Sequence, residues 1–399
     1  MPDSSLVPDD VLEQTRCLDI SPSNACNARC LFCSQDDGDR EMGRLDPAAT
    51  ARHIYWAFRN GYRRLGLSGG EPTLLPELPR LIRFARKVGF HSIRLQTNGI
   101  RLADASYAQR LVEAGLSTVR FSVHGHEAGL HDGLVGIPGA FKSALSAIGN
   151  MRRLRCRLGL NIVLNADNHA FLPEFFELFL RRLEITNFMV IYPLYDGNMG
   201  READRMGFRL SEALPSLEKA FRLFEEEGLE PPLLLHFTPC LLPGYESRML
   251  GWYRFEARVV EPDGRGKDLD EAVRSRKLRP SSCEGCAYRP RCPGVDRGYL
   301  DRYGAAEFRP LAQRAHARTR PPSDDPRRRI LTENERCVLG ILSTGPRPTD
   351  DLLSAAVDTP LCQDCRGGPA VLQAAERLAR MGRIRRSWSG GKYLWTPRT

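Results

Sequence analysis

Seven of the twelve cysteines in this 399-residue chain fall in two groups. The first is Cys26-Asn-Ala-Arg-Cys30-Leu-Phe-Cys33, which follows directly on a β-type run at 17–22. Three thiolates at this spacing can hold three corners of a four-iron, four-sulfur cluster and leave one iron open for an exogenous ligand. Structural zinc takes four ligands, usually as two paired knuckles, and no fourth Cys or His lies near this group. The second group is Cys240, then Cys283-Glu-Gly-Cys286-Ala-Tyr-Arg-Pro-Arg-Cys292-Pro-Gly294. Four thiols in a loop-rich stretch suit zinc as well as a cluster. In a reducing compartment both groups point to metal rather than to disulfides.

Three polar, glycine-containing turns come next: Ser68-Gly69-Gly70-Glu71-Pro72, Gln96-Thr97-Asn98-Gly99 and Phe121-Ser122-Val123-His124-Gly125. Glycines let the backbone approach a ligand closely, although Gly-Gly and Asn-Gly are also ordinary turn dipeptides. Each turn ends a β-type run. We read strands at 17–22, 64–68, 92–96, 118–123, 158–164 and 188–193, with amphipathic helices at 47–60, 75–88, 106–114, 140–154 and 172–183 between them. Strand and helix alternating in this way predict a parallel sheet with crossover helices, whose chemistry collects at the carboxyl ends of the strands. The first cysteine group and the three turns all sit at such ends.

With these motifs in this order, residues 17–195 resemble the radical S-adenosylmethionine (SAM) superfamily, whose CxxxCxxC loop follows the first strand of a partial (β/α)6 TIM-like barrel. The resemblance implies an enzyme in which a 4Fe-4S cluster on Cys26, Cys30 and Cys33 cleaves SAM reductively to a 5′-deoxyadenosyl radical, which then takes a hydrogen from a substrate. It also implies cofactor contacts. Phe32 stands where the family has an aromatic residue whose backbone meets the adenine, and Gly69, Gly70 and Glu71 correspond to the GGEP motif that binds the methionyl ammonium. Thr97 and Asn98 would line the same pocket, and Ser122 would reach the carboxylate or ribose. Asn161 either faces the cofactor or completes a strand-end network. His124, His126, His131 and Asp132 either line the substrate cavity or cap the helix that begins near Ala140.

Residues 196–313 resemble the SPASM domain, or its shortened Twitch form, which follows many such barrels. The resemblance implies a second, auxiliary 4Fe-4S cluster on Cys240, Cys283, Cys286 and Cys292. Residues 314–329 (RAHARTRPPSDDPRRR) read as a solvated linker, and 1–16 as a flexible N-terminus. Residues 330–399 have the helix–helix–helix–hairpin order of a winged helix, carrying Arg377, Arg380, Arg383, Arg385, Arg386 and Lys392. Such a unit suits nucleic acid, a peptide or protein, or a purely structural role. Cys337, Cys362 and Cys365 read as incidental thiols.

The fold class is thus α/β: a partial barrel, a small cysteine-rich domain and a winged-helix-like domain. No run of about eighteen apolar residues appears, and the first residues are acidic rather than basic-then-apolar, so the expected location is the cytoplasm, without membrane contact. A net charge of +9 points weakly to an anionic partner. The expected substrate is a peptide or protein side chain. The alternatives are a small metabolite (a sugar, nucleoside or cofactor precursor) or tRNA, with a flavodoxin or ferredoxin as electron donor. A DNA-binding iron–sulfur regulator is the rival from another class, but it has no use for the polar strand ends.

Overall fold

The computed structural model describes residues 16–38, 43–358 and 368–398. The sequence-based expectations for 1–15 and for the pair Cys362/Cys365 lie outside the described residues.

Six parallel strands, β1 (Cys17–Ile20), β2 (Arg64–Leu67), β3 (Ser92–Thr97), β4 (Thr118–Ser122), β5 (Arg157–Val163) and β6 (Phe188–Ile191), pair in sequence order. Crossover helices α1 (Pro47–Arg59), α2 (Leu78–Val88), α3 (Ala105–Ala114), α4 (Ala128–Val135) and α5 (Ala140–Arg153) connect the first five strands. Their ends follow local chemistry. The Asp46 carboxylate caps α1 through Ala49 N–H, and the Asp104 carboxylate caps α3 through Ser106 and Tyr107 N–H. Helices α2 and α3 stop at Gly89 and Gly115, both left-handed. Helix α6 (Leu172–Phe176) runs on into a π-helical segment at Glu177–Arg182 before β6.

Alternate residues of each strand face opposite ways. Leu18, Ile20, Leu65, Leu67, Ile93, Leu95, Val119, Phe121, Leu158, Leu160 and Val190 enter the main core beneath the helices. The intervening positions face the lumen, and several of them, Asp19, Arg94, Gln96, Arg120 and Asn161, are polar. Arg94 and Asp19 pair at 3.1 Å over Gly66, where a Cβ would overlap the Asp19 carboxylate. Arg120, 1% exposed, lies over Gly159 and donates to Asn161 Oδ1 (3.2 Å) and Asn187 Oδ1 (2.8 Å). Buried charges of this kind persist only when paired and hydrogen-bonded. Lower in the lumen, Cys17, Met189, Leu233, Leu250, Phe255 and Ala257 form a separate apolar cluster.

The sheet does not end at residue 195. Strand β7 (Leu233–Leu235) adds in parallel to β6, and β8 (Arg258–Val260) adds in parallel to β1, with β9 (Gly266–Asp268) antiparallel beyond it. These strands come from the segment read above as a separate cysteine-rich domain, so that segment contributes to the barrel. Its remainder holds α7 (Gly197–Arg201), α8 (Leu214–Glu226), α9 (Leu269–Ser275), the two-stranded β10 (Lys277–Leu278) and β11 (Val295–Asp296), and α10 (Arg297–Tyr303).

The last unit runs α11 (Glu333–Leu342), β12 (Arg347–Pro348), α12 (Thr349–Asp358), α13 (Pro369–Arg380), β13 (Ile384–Ser389), β14 (Lys392–Pro397), the order of a winged helix, around its own core of Val338, Ile341, Leu342, Leu352, Val371, Leu378, Ile384 and Trp395. Residues 314–329 are mostly exposed and are held at three places. Arg318 N–H donates to Gly244 O (2.8 Å), Ser323 N–H donates to Gly228 O (2.7 Å), and Arg328 is buried against the winged helix. Arg157 donates to Asn334 Oδ1 at 2.9 Å, which ties that unit to the barrel. Cys337, read as a free thiol, is disulfide-bonded. No described helix is long and apolar enough to cross a membrane.

Candidate active site

The first cysteine group forms the loop after β1, and neighbouring elements clasp it on three sides. Arg29 and Leu31 N–H donate to Val135 and Leu134 O at the end of α4 (2.8 and 3.1 Å). At the start of α7, Met199 N–H donates to Cys33 O (2.9 Å) and the Asn198 amide to Cys30 O (3.2 Å). On the third side the glycine turn after β2 lies against residues 21–25: Gly70 N–H donates to Ser23 O (2.9 Å) and Glu71 N–H to Ala25 O (2.7 Å). Here glycine is required. A Cβ at Gly70 would overlap the carbonyls of Asn24 and Ala25, and Gly69 has φ +112 with no room beside Ser21 and Ser23.

Cys26, Cys30 and Cys33 are all partly exposed and none forms a disulfide. Ala28 N–H already points at Cys26 Sγ (3.4 Å). Phe32 is 6% exposed and packs its ring 4.3 Å from that of His124, among Ala28, Leu134, Val135 and Met199. The aromatic ring thus anchors the cysteine loop to the end of β4.

Glu71 does something the motif alone does not reveal. It is 3% exposed, and its Oε1 accepts from Thr73 N–H (3.0 Å), Thr73 Oγ1 (2.6 Å) and Thr97 Oγ1 (2.8 Å), while Oε2 accepts from Asn98 N–H (2.8 Å). Burial pushes its carboxyl upward and these donors pull it back. With four donors, Glu71 locks the second strand end to the third and acts as a positioning residue. Thr97, 2% exposed, is consumed in the same network, also accepting Gly99 N–H (3.0 Å). Asn98 continues the network to the cysteine loop: its amide donates to Asn27 Oδ1 at 2.8 Å. Gly69, Gly70, Glu71, Thr97 and Asn98 therefore converge on the cysteine loop. Ser122 ends β4, partly exposed and in register with Asn161. Asn161 is 3% exposed, with its oxygen held by Arg120.

Gln96, which the sequence reading passed over, is exposed even though it stands mid-sheet on the lumen face of β3. Its signal was available: a polar residue in lumen register between buried Leu95 and Thr97. Of the histidine group, Asp132 caps α5 through Gly139 N–H (2.6 Å) and Phe141 N–H (2.8 Å). His124 Nδ1 accepts from Val163 N–H and His131 Nδ1 from His124 N–H, both at 3.1 Å. Burial holds His124 well below the usual range and His131 at about 4. His124 and His131 are thus neutral struts at the end of β4.

In the second group, Cys283, Cys286 and Cys292 lie near enough to Cys240 to raise the cost of charging it. Burial pushes Cys240 up to about 11, eased by the Thr238 hydroxyl, with the other three thiols adding to the rise. Burial likewise raises Cys283 and Cys292. Among the described residues no three His, Cys, Asp or Glu side chains already surround a single-ion position.

Residues 20–179 match the family model described as Radical SAM superfamily. Among curated proteins, the GTP 3′,8-cyclase of Chlorobaculum tepidum is 30% identical over 210 residues, 50% of this chain and 62% of that protein. The PqqA peptide cyclase of Rhodopseudomonas palustris is 31% identical over 170 residues, 41% of this chain and 45% of its own length. The chain thus spans about six-tenths or less of these relatives. The crystal structure of Streptococcus suis SuiB bound to precursor peptide SuiA shares the fold, with a TM-score of 0.55 and 17% identity over 75% of each chain.

Proposed function

We propose that this chain, whose residues 20–179 match the Radical SAM superfamily model, is an enzyme of that kind and modifies a side chain of a peptide or protein by hydrogen abstraction. Cys26, Cys30 and Cys33 would hold the SAM-binding 4Fe-4S cluster; Cys240, Cys283, Cys286 and Cys292 would hold an auxiliary one. When bound, the first cluster supplies the electron that splits SAM into methionine and the 5′-deoxyadenosyl radical. The chain's own part is positional. The α4 and α7 contacts fix the cysteine loop, the Glu71–Thr97–Asn98–Asn27 network sets the strand ends around it, and the polar lumen with Gln96 receives the substrate. The electron would come from a small donor protein such as a flavodoxin or ferredoxin.

The observation that carries the peptide reading is the exposed edge of the winged helix. Strand β13 is at the edge of the sheet β12-β14-β13, with Trp388 (64% exposed) and Tyr393 (43% exposed) packed beside each other at 4.8 Å. Unpaired strand edges receive extended peptides through main-chain hydrogen bonds. The nucleic-acid alternative loses support on the same unit. Arg377 is buried on Glu335, Arg380 pairs with Asp324, Arg386 with Glu376 and Lys392 with Asp350, which leaves only Arg383, donating to Arg328 O, and exposed Arg385 without an ion pair among the described residues. A phosphate-binding face needs uncompensated positive charge. The likeness to SuiB, solved with a precursor peptide, supports the peptide reading, whereas the GTP 3′,8-cyclase relatives supply the competing one.

The test is substrate-stimulated cleavage. Anaerobically reconstituted enzyme with SAM and dithionite is given a mixed peptide pool in one arm and nucleoside triphosphates in the other, and 5′-deoxyadenosine is counted by mass spectrometry. We expect peptide to stimulate release severalfold and nucleotides to leave it unchanged. Stimulation by nucleotides alone overturns the peptide reading.

A further inference from the structure

Between the end of α8 and the segment 318–329 lies a cavity of about 700 Å³ that the proposed chemistry does not use. The segment is seated against glycines at two places. Arg318 N–H donates to Gly244 O (2.8 Å) and Ser323 N–H to Gly228 O (2.7 Å). Gly244 has φ +91 and Gly228 φ +63, and a Cβ on either would overlap the segment, at His316 O (2.6 Å) and at Ser323 Cβ (2.7 Å). The chain itself therefore holds the cavity's walls in place, which lowers the ordering cost of binding there.

The charges lining this cavity do not balance. Arg181 holds Glu226 (2.5 Å) and Glu227 (2.8 Å), Arg327 pairs with Asp325 (2.8 Å), and Arg328 is taken by the buried Glu335. Left over are exposed Arg318, Arg320 and Arg329, which have no ion pair among the described residues, against one unpaired carboxylate, Glu225. The Arg318 guanidinium lies 5.8 Å from the centre of the Tyr245 ring, and Tyr245 packs on Phe221 at 4.8 Å, so the cationic wall adjoins an aromatic one. A single exposed arginine is unremarkable, but three on one concave surface raise the local concentration of anions.

This cavity is continuous with the open edge of β13. Arg383, immediately before β13, donates to Arg328 O (3.2 Å), and Arg380 at the end of α13 pairs with Asp324 (2.5 Å). A chain added along β13 and running past Ile384 thus comes within an arginine's reach of 328–329, on the cavity's rim. We propose that the cavity receives an acidic stretch of the polypeptide substrate, whose carboxylates meet Arg318, Arg320 and Arg329 while the adjoining residues extend the β13 edge. Guanidinium groups suit this role because their paired donors match a carboxylate. The proposal rests on the peptide reading and adds a sequence requirement to it: Asp or Glu residues beside the segment that forms the added strand.

The test is fluorescence anisotropy on the full-length, reconstituted protein with three labelled probes. These are a peptide carrying Glu runs on both sides of a Thr-Val-Thr-Val-Thr segment, its counterpart with Lys in place of Glu, and an oligothymidylate of similar length. Wild type is compared with Arg318→Gln/Arg320→Gln/Arg329→Gln, whose folding is checked by circular dichroism; none of the three side chains has a hydrogen bond to lose among the described residues. We expect saturable binding of the Glu peptide that weakens as salt rises, no binding of the Lys peptide, and a loss of about tenfold or more in the triple variant with a shallower salt dependence. Failure of wild type to bind the Glu peptide, or equal binding by the folded variant, overturns the proposal. Tighter binding of the oligothymidylate that disappears in the same variant assigns the cavity to nucleic acid and overturns it as well. Stimulation of 5′-deoxyadenosine release by a peptide pool is measured on the same wild-type preparation. Stimulation without binding of the Glu peptide counts against the cavity alone, whereas absence of stimulation counts against the peptide reading itself.

Discussion

Cys30→Ala yields a folded protein that retains metal at the second cysteine group and releases no 5′-deoxyadenosine. Cys30 is the central thiol of the loop, and the loop's conformation is set by backbone contacts that the substitution leaves in place: Asn198 to Cys30 O, Met199 to Cys33 O, and Arg29 and Leu31 to α4. On the proposed reading, what is lost is one of the three thiolates that would hold the SAM-binding cluster. If both groups carry four-iron clusters, iron per chain falls from about eight to about four. Iron analysis and the product assay on one sample check this. Unchanged iron would remove Cys30 from the ligand set.

Glu335→Ala unfolds the winged-helix unit at denaturant concentrations that wild type withstands. Glu335 is fully buried, and its Oε1 accepts from Arg328 and from Arg377 Nε (3.0 Å). Its Oε2 accepts Thr332 N–H (2.9 Å), and Thr332 Oγ1 returns the bond to Glu335 N–H (3.3 Å), a capping box at the start of α11. Removing the carboxylate strands two guanidinium groups, with side chains 1% and 11% exposed, without a counter-charge. Breaking a buried pair from one side costs about 3–5 kcal/mol, and loss of the cap adds about 1 kcal/mol. Urea denaturation followed by tryptophan fluorescence in a background carrying Trp56→Phe and Trp252→Phe, which leaves Trp388 and Trp395, reads this unit. A midpoint equal to wild type would show that the triad is not under stabilising load, and Glu335→Gln should fall between the two.

The barrel was legible because its strands carry their pattern openly. Runs such as Arg64-Leu-Gly-Leu67 and Thr118-Val-Arg-Phe-Ser122 end in polar turns, and the helices between them keep an apolar stripe, so both element type and order follow from periodicity. Strands β7 and β8 are three residues each, too short for a period of two to register, and they exist because the open edges of the sheet recruit them. Helix α4 escaped for another reason: Ala128-Gly-Leu-His-Asp-Gly-Leu-Val135 carries two glycines and little amphipathic contrast, and it is held by contacts with the cysteine loop.

At the site, spacing identified the residues but not what each one does. A Gly-Gly-Glu-Pro turn looks the same whether its carboxylate meets a ligand or a neighbouring strand. Only the tertiary arrangement places Thr73, Thr97 and Asn98 around Glu71. In the same way the composition of 314–329 predicts solvation, but Arg328 sits in that segment with a buried carboxylate waiting for it one turn into α11.

The central claim is that this chain cleaves SAM reductively at the Cys26–Cys30–Cys33 loop. The most direct test is to reconstitute the full-length protein anaerobically with iron and sulfide, add SAM and dithionite, and measure 5′-deoxyadenosine by mass spectrometry in the absence and presence of substrate pools. The account predicts reductant-dependent 5′-deoxyadenosine from wild type and none from Cys30→Ala. Fully cluster-loaded wild type that forms no 5′-deoxyadenosine under any of these conditions would contradict it.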